Sequence, residues 1–164
     1  MNGITLTGAF NRRSLDKILA KEINEANNRT LPLSLMALDL DFFKVINDDF
    51  GHSAGDKVLQ HFYQACLQSV HDSDYIIRTG GEEFIILLPT TTIEKATDSA
   101  QRLRQKIEEL TIEFDHKLIK LTVSIGVTQW NKKIFNNADE FIKQADINLY
   151  HAKNSGRNCV SSSK

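Results

Sequence analysis

Two adjacent glycines between two apolar runs constrain the fold of this chain more than any other feature. Apolar residues at 75–77 and 84–88 flank Gly80 and Gly81. This pattern predicts a β-hairpin with a two-residue type I′ turn, which requires positive φ at both central positions. Glu82 and Glu83 follow at once, so two carboxylates lie beside backbone without side chains. This arrangement suits a metal or phosphate site better than it suits a core.

The composition is that of a soluble domain with an ordinary core. The chain has 164 residues, 41% of them hydrophobic, and a formal net charge of -1. The balanced charge argues against a nucleic-acid polymer as partner, and the longest apolar stretch, 84–88, predicts no membrane contact. Cys66 and Cys159 lack metal-ligand spacing and fit a reducing cytoplasm. We expect residues 1–160 to form one domain and residues 161–164 a short C-terminal tail.

The hydrophobic pattern predicts helices that alternate with strands. Expected helices begin at Asn11, near residue 42, after a loop at 51–56, at Thr91 or Thr92, and at Asn137 or Ala138. Expected strands cover 33–40, the two arms of the hairpin, 118–128 and a short piece at 159–160. One α/β (or α+β) sandwich follows, with strands and helices in separate layers.

Three polar clusters carry the chemistry of the chain. They are Asp39 with Asp41 at the end of a strand, Glu82 with Glu83 at the hairpin, and Lys153 with Arg157 at a helix end. Carboxylates at strand ends bind Mg²⁺, and paired cations hold phosphate. Together they indicate phosphoryl or nucleotidyl transfer. Two of these clusters also have a purely structural interpretation. The two cations could simply complement a helix C-terminus, and Asp41 could accept structural hydrogen bonds rather than act as a second metal ligand.

Five segments in order resemble one family. Residues 80–84, Gly-Gly-Glu-Glu-Phe, resemble the signature of the GGDEF domain of diguanylate cyclases, in its GGEEF variant. Further matches lie at 6–13, at 38–48 with Gly51-His52 and Gly55-Asp56, at 121–127 and at 145–158. The resemblance covers nearly the whole chain and implies a central, mostly antiparallel sheet flanked by helices, as in nucleotide cyclase and polymerase-palm domains.

The resemblance also implies a reaction. Two GTP molecules, each held by one domain of a head-to-tail homodimer, condense into cyclic di-GMP with release of pyrophosphate. Asp39 and Glu82 are implied ligands of Mg²⁺ (Mn²⁺ being an alternative ion), aided by the carbonyl of Leu40. Glu83 is implied to deprotonate or polarise the attacking 3′-hydroxyl, with Glu82 as the competing candidate.

Eight residues are implied to bind the GTP substrate. Asn47 and Asp56 read guanine, and His52 lines the base. The backbone N–H groups of Phe42 and Phe43 cradle phosphates, although the two rings themselves are expected to be mostly core. Lys44, Lys153 and Arg157 neutralise the triphosphate.

The chain departs from the family in two places. The inhibitory Arg-x-x-Asp motif is replaced by His71-Asp-Ser-Asp74. Because histidine lacks the guanidinium fork, we expect product inhibition to be lost or much weakened. Ile4 stands where the family has an aspartate that could pair with Arg78.

Two other functions compete with an active cyclase. One is a catalytically silent GGDEF domain that binds GTP or a protein as a regulatory module. The other is a different nucleotidyl cyclase or a polymerase-palm relative. In every case we expect a cytoplasmic output domain, weakly dimeric alone, whose sensor or regulatory portion is missing here or is a separate partner.

Overall fold

Residues 8–163 are described by the structure, a computed structural model, and they contain eight strands and five helices. The strands are β1 (Phe10–Asn11), β2 (Leu33–Leu40), β3 (Tyr75–Arg78), β4 (Glu83–Pro89), β5 (Ile112–Phe114), β6 (Lys117–Ile119), β7 (Val123–Gln129) and β8 (Val160–Ser163). The helices are α1 (Arg12–Arg29), α2 (Phe43–Phe50), α3 (His52–Ser69), α4 (Ile93–Glu109) and α5 (Ala138–Asn154).

Six strands form one sheet in the order β1-β3-β4-β2-β7-β8. The central pairs β3–β4, β4–β2 and β2–β7 are antiparallel, and the outer pairs β1–β3 and β7–β8 are parallel. The predicted mixed α/β fold with a mostly antiparallel sheet is therefore confirmed. No helix among residues 8–163 is both long enough and apolar enough to cross a membrane.

Strand β2 is buried along its whole length because helices cover both faces of the sheet. Met36 and Leu38 belong to the core under α3 and α4, whereas Leu35 and Ala37 belong to the core under α1 and α5. This alternation follows from the two-residue period of a strand. Asp39 has the parity of Leu35 and Ala37, so its side chain belongs to the face that α5 covers.

Side-chain caps begin three of the described helices where the sequence predicts them. The caps of α1, α4 and α5 are Asn11, Thr92 and Asn137. Each cap oxygen accepts a hydrogen bond from the backbone N–H three residues on, at 3.2, 3.3 and 3.0 Å respectively. Such bonds satisfy N–H groups that have no partner inside the helix, which explains why the predicted starts are accurate.

Glycine allows α5 to lie close against the sheet. A Cβ on Gly126 of β7 would lie 2.2 Å from the backbone N of Leu149 and 2.3 Å from the backbone O of Ala145. Both atoms are backbone and cannot move aside without shifting the helix. Gly126 therefore sets the height of α5 above the sheet, and with it the position of Lys153 in the last turn of α5.

Three sequence expectations were wrong. Residues 52–56 are the first turns of α3 rather than a loop, because Gly51 alone, at φ 92°, turns the chain between α2 and α3. The expected strand 118–128 is interrupted: β6 pairs with β5, and only β7 joins the main sheet. Residues 161–163 are paired with β7 as part of β8 rather than forming a tail.

Candidate active site

The main-sheet register brings the first two carboxylates of the site together. Asp39, near the end of β2, is the direct antiparallel partner of Glu83, the first residue of β4. Side chains of directly opposed residues share a face and lie close together. The backbone N–H of Leu40 donates to the carbonyl of Glu82 at 3.3 Å. The structure therefore gathers Asp39, Leu40, Glu82 and Glu83 at one edge of the sheet, as predicted.

The glycine pair does not form the predicted type I′ turn. Arg78 ends β3 and Glu83 begins β4, so residues 79–82 form a longer loop, and neither Gly80 nor Gly81 has positive φ. Arg78 closes this loop, since its guanidinium donates to the carbonyls of Gly80 (3.1 Å) and Gly81 (3.0 and 2.6 Å). The turn with two positive φ angles occurs instead at residues 115–116, between β5 and β6. Ile4 lies outside the described residues.

Gly80 is needed for space rather than for its backbone angles. A Cβ at this position would lie 2.5 Å from Oε2 of Glu83, so the Glu83 carboxylate rests against the bare backbone of Gly80. A Cβ on Gly81 would meet nothing within 4 Å. The first glycine of the signature therefore sets where the Glu83 carboxylate lies.

Asp39 is the electrostatic centre of this edge. The residue is only 7% exposed, and its carboxylate forms an ion pair with the ammonium of Lys153. Burial raises the pKa of the Asp39 carboxyl, Lys153 lowers it, and the nearby Glu82 and Asp41 raise it further. Burial and neighbouring carboxylates destabilise the ionised form of Asp39, whereas a nearby cation stabilises it. Lys153, predicted to contact phosphate, thus contacts the predicted metal ligand in this structure.

Asp41 is a hydrogen-bond acceptor in the interior, which confirms its structural role. Its Oδ1 accepts from the hydroxyl of Ser124 at 2.7 Å. Its Oδ2 accepts from the hydroxyl of Thr122 at 2.7 Å and from the backbone N–H of Asn158 at 3.0 Å. With both oxygens engaged and only 4% exposure, Asp41 joins β2, β7 and the loop after α5.

The start of α2 carries an exposed aromatic ring and a cation. Phe42 has a left-handed backbone (φ 57°, ψ 31°), caps α2 without a side-chain hydrogen bond, and is 61% exposed. The Arg157 guanidinium lies 4.8 Å from the centre of its ring. The expectation that both phenylalanines are core was wrong for Phe42, because this backbone conformation turns its ring to the surface; Phe43 is buried. Lys44 is exposed in the first turn of α2.

The predicted base-reading residues lie on α2 and α3. The Oδ1 atom of Asn47 is buried and has no hydrogen-bond partner. It lies so close to Gly55 that a Cβ there would be 1.9 Å away. Asp56 and His52 are exposed in the first turns of α3. The buried, unpaired acceptor is a position where a ligand donor would remove a desolvation penalty.

Sequence reasoning missed Asp146 on α5. Burial raises the pKa of its carboxyl, the charge of Glu83 raises it further, and Arg12 and Lys153 lower it. Asp146 therefore lies within the electrostatic field of the site. Its spacing of seven residues from Lys153, two helical turns, is the signal that could have found it.

Residues 71–74, predicted from the sequence to be a degenerate inhibitory site, form a turn away from these carboxylates. The backbone N–H of His71 donates to Oδ2 of Asp74 at 2.9 Å, and Oδ1 of Asp74 is buried without a partner. Burial raises the pKa of Asp74. His71 lines a cleft of about 340 Å³ together with Lys95 and Arg102, so cations remain beside the segment that lost its arginine.

A cleft of about 810 Å³ does not coincide with the candidate site. It lies at the opposite end of β2, among residues that include Pro32, Trp130 and Ile134, and none of the predicted site residues line it. Within residues 8–163, no three His, Cys, Asp or Glu side chains converge on one point as a ready metal cluster. The predicted ligand set contains two carboxylates and one backbone carbonyl, so it does not consist of three such side chains.

Comparisons with known proteins agree on one family. The model described as "Diguanylate cyclase, GGDEF domain" matches residues 5–159. Diguanylate cyclase A of Treponema denticola is 40% identical over 142 residues, or 87% of this chain and 38% of that protein. The structure of diguanylate cyclase SiaD with its activator SiaC, from Pseudomonas aeruginosa, has a TM-score of 0.91 and 34% identity, covering 96% of this chain and 60% of that one. An active GGEEF domain of a diguanylate cyclase from Vibrio cholerae has a TM-score of 0.87 and 32% identity, covering 94% of this chain and 97% of that one. The chain spans 38% and 34% of the length of two curated relatives that it matches.

Proposed function

The chain belongs to the diguanylate cyclase GGDEF-domain family, and on that premise we propose that it condenses two GTP molecules into cyclic di-GMP. One observation carries the proposal. Asp39 lies directly opposite Glu83 in the sheet and also forms an ion pair with Lys153 of α5. Carboxylates and a cation at one edge of a sheet are what nucleotidyl transfer requires.

Asn47 and Asp56 are proposed to select guanine. Guanine offers N1–H and N2–H₂ as donors on one edge, and both side chains supply oxygen acceptors. The buried Oδ1 of Asn47 has no partner in the protein, so a base that donates to it removes an unfavourable desolvation. Adenine has no donor at the N1 position, which is the physical basis for preferring GTP over ATP. His52, on the same helix as Asp56, would line the base.

The start of α2 is proposed to hold the phosphates. Helix N-termini attract anions because their first N–H groups lack partners inside the helix. The backbone N–H groups of Phe42 and Phe43 lie at this end, and no side chain caps it. Lys44 in the first turn and Arg157 over the Phe42 ring bring positive charge to the same place.

The residues at the edge fit a divalent ion. Asp39 already holds a cation, the Lys153 ammonium, and crowding by Glu82 favours any positive charge that binds between them. Asp39, Glu82 and the carbonyl of Leu40 would hold Mg²⁺ or Mn²⁺, both of which prefer oxygen ligands. Bound there, the ion would neutralise charge on the phosphate oxygens. Lys153 would then be released from Asp39 to contact the triphosphate.

Glu83 is proposed to take the proton of the attacking hydroxyl. The 3′-oxygen of each GTP forms a bond to the α-phosphorus of the other. The bond between the α-phosphorus and the bridging oxygen breaks, and pyrophosphate leaves. The proton passes to a Glu83 carboxylate that Gly80 leaves room for. Because each copy holds one GTP, two copies must face head to tail, and Glu82 is the competing base if it does not ligate the ion.

A regulatory portion or a separate partner is proposed to control this pairing. The chain is a minor part of the length of its curated relatives, so a regulatory portion or a separate partner would bring two copies together. Product inhibition through His71 and Asp74 is proposed to be weak, because the guanidinium fork is replaced by imidazole.

The test is incubation of the concentrated protein with GTP and Mg²⁺, followed by chromatography for cyclic di-GMP. Product should rise more steeply than linearly with protein concentration and should be absent in Glu83→Gln. Gln60→Ala, an exposed change on α3, is the matched control and should behave like the parent. GTP binding without product, even when a fused coiled coil enforces dimers, would instead establish a silent regulatory module.

A further inference from the structure

The loop after α5 has an unusual backbone. Gly156, Arg157 and Asn158 have φ angles of 110°, 63° and 46° in succession. Two consecutive non-glycine residues in the left-handed region are unfavourable, because Cβ lies too close to the carbonyl oxygen that follows it. Asparagine tolerates this region better than most residues, but arginine has no such advantage. The surrounding contacts must therefore hold Arg157 in this conformation.

Asn158 supplies three of these contacts, through its backbone N–H and both ends of its side-chain amide. Its backbone N–H donates to Oδ2 of Asp41 at 3.0 Å. Its side-chain Oδ1 accepts from Arg104 at 2.9 Å, and its Nδ2 donates to Glu108 at 2.6 Å. Arg104 and Glu108 lie one turn apart on α4 and form an ion pair at 3.2 Å. Asn158 thus fastens the loop both to α4 and to the end of β2.

The far ends of these contacts lie next to the candidate site. Asp41 is two residues after Asp39 and is itself fixed by the hydroxyl groups of Thr122 and Ser124. Arg157, the residue before Asn158, extends its guanidinium over the Phe42 ring at the start of α2. The contacts of Asn158, together with the bond from the backbone N–H of Arg157 to the carbonyl of Ala152 at 3.1 Å, therefore fix the backbone from which the Arg157 side chain extends to the start of α2.

We propose that Asn158 is a positioning residue, which acts through Arg157 to hold its guanidinium where a GTP triphosphate binds. The clamp consists of Asn158, Arg104, Glu108 and Asp41. This inference rests on the proposed function, because it assigns Arg157 to the triphosphate. It adds a role for α4, which carries Arg104 and Glu108.

The test separates phosphate contacts from base contacts. Asn158→Gly keeps the left-handed backbone available but removes both side-chain hydrogen bonds. We expect titration calorimetry to show that its affinity for GTP falls about tenfold, because the side chain of Asn158 no longer holds the loop that carries Arg157. Affinity for guanosine, which has no phosphates, should not change. Asn154→Ala, another asparagine exposed at the end of α5, is the matched control and should leave both affinities as in the parent.

Two further variants protect the test. Arg104→Ala leaves the backbone bond to Asp41 intact and should weaken GTP binding in the same direction by a smaller factor. Combining Asn158→Gly with Arg157→Ala should lose little more GTP affinity than Arg157→Ala alone, because both act through one guanidinium. Full additivity, or equal loss of GTP and guanosine affinity, would overturn the inference. A parent protein that binds neither GTP nor guanosine would refute the proposed function itself.

Discussion

Replacing Gly55 with alanine tests the guanine-reading role of Asn47 without removing any polar group. The new Cβ would lie 1.9 Å from Oδ1 of Asn47 and 3.1 Å from its Cγ. To reach ordinary contact distance, the Asn47 oxygen must retreat by about 1.5 Å. A hydrogen bond of normal length does not survive a displacement of that size. The Asn47 amide can make this movement because it is the end of a flexible side chain.

The expected effects on stability and on binding have opposite signs. Gly55 lies inside α3 at negative φ, so alanine favours the helix by about 1 kcal/mol. Binding loses the bond to Asn47 and leaves guanine donors unsatisfied, about 1–3 kcal/mol, or roughly 5- to 150-fold in Kd for GTP. Urea unfolding gives the first quantity and calorimetric GTP titration gives the second. Weaker GTP binding combined with a more stable protein is the result that this mechanism predicts for Gly55→Ala.

Two comparisons complete this experiment. Asn47→Ala removes the amide itself and should weaken GTP binding to a similar extent. Gln60→Ala, on the exposed side of α3, should change neither quantity by more than about 0.5 kcal/mol. If Gly55→Ala binds GTP as tightly as the parent, Asn47 does not read the base, and Asp56 must be tested alone.

Three further predictions concern other parts of the molecule. Gly80→Ala should lower kcat about 10²-fold by displacing the Glu83 carboxylate, whereas Gly81→Ala, with open space, should lower it far less; equal losses would contradict the steric argument. Asn137→Ala should lower the free energy of unfolding by about 1 kcal/mol in urea through loss of the α5 cap, and a value near zero would show that water replaces the cap. His71→Arg should raise affinity for cyclic di-GMP about tenfold by calorimetry, because a guanidinium fork grips phosphate; no gain would mean that the segment is not the inhibitory site.

The sequence alone predicts the parts of the fold that depend on local interactions. The caps Asn11, Thr92 and Asn137 satisfy N–H groups only three residues away, so the helix starts that they set can be predicted from the sequence. The buried strand β2 follows from a segment in which Ser34 is the one polar residue before Asp39. The carboxylates Asp39 and Glu83 and the cations Lys153 and Arg157 are likewise visible as residue types near predicted strand and helix ends.

Errors arose where a local pattern had two solutions. Gly80 and Gly81 fit a type I′ turn, but Arg78 binds their carbonyls and stabilises a longer loop. The tight turn forms instead at residues 115–116, where no glycine marks it. Residues 52–56 read as a loop because of their glycines, yet packing of α3 on α2 and on the sheet keeps them helical.

Only the tertiary structure decided which groups of the site touch. Lys153 is 114 residues from Asp39, and Asn158 is 117 residues from Asp41. No periodicity reports such pairings, because they depend on the register of β2 with its neighbours and on the height of α5 above Gly126. The sequence determined which chemical groups the protein has and which elements carry them. The packing of those elements determined that a buried carboxylate takes a lysine and that a strained arginine is held over an exposed ring.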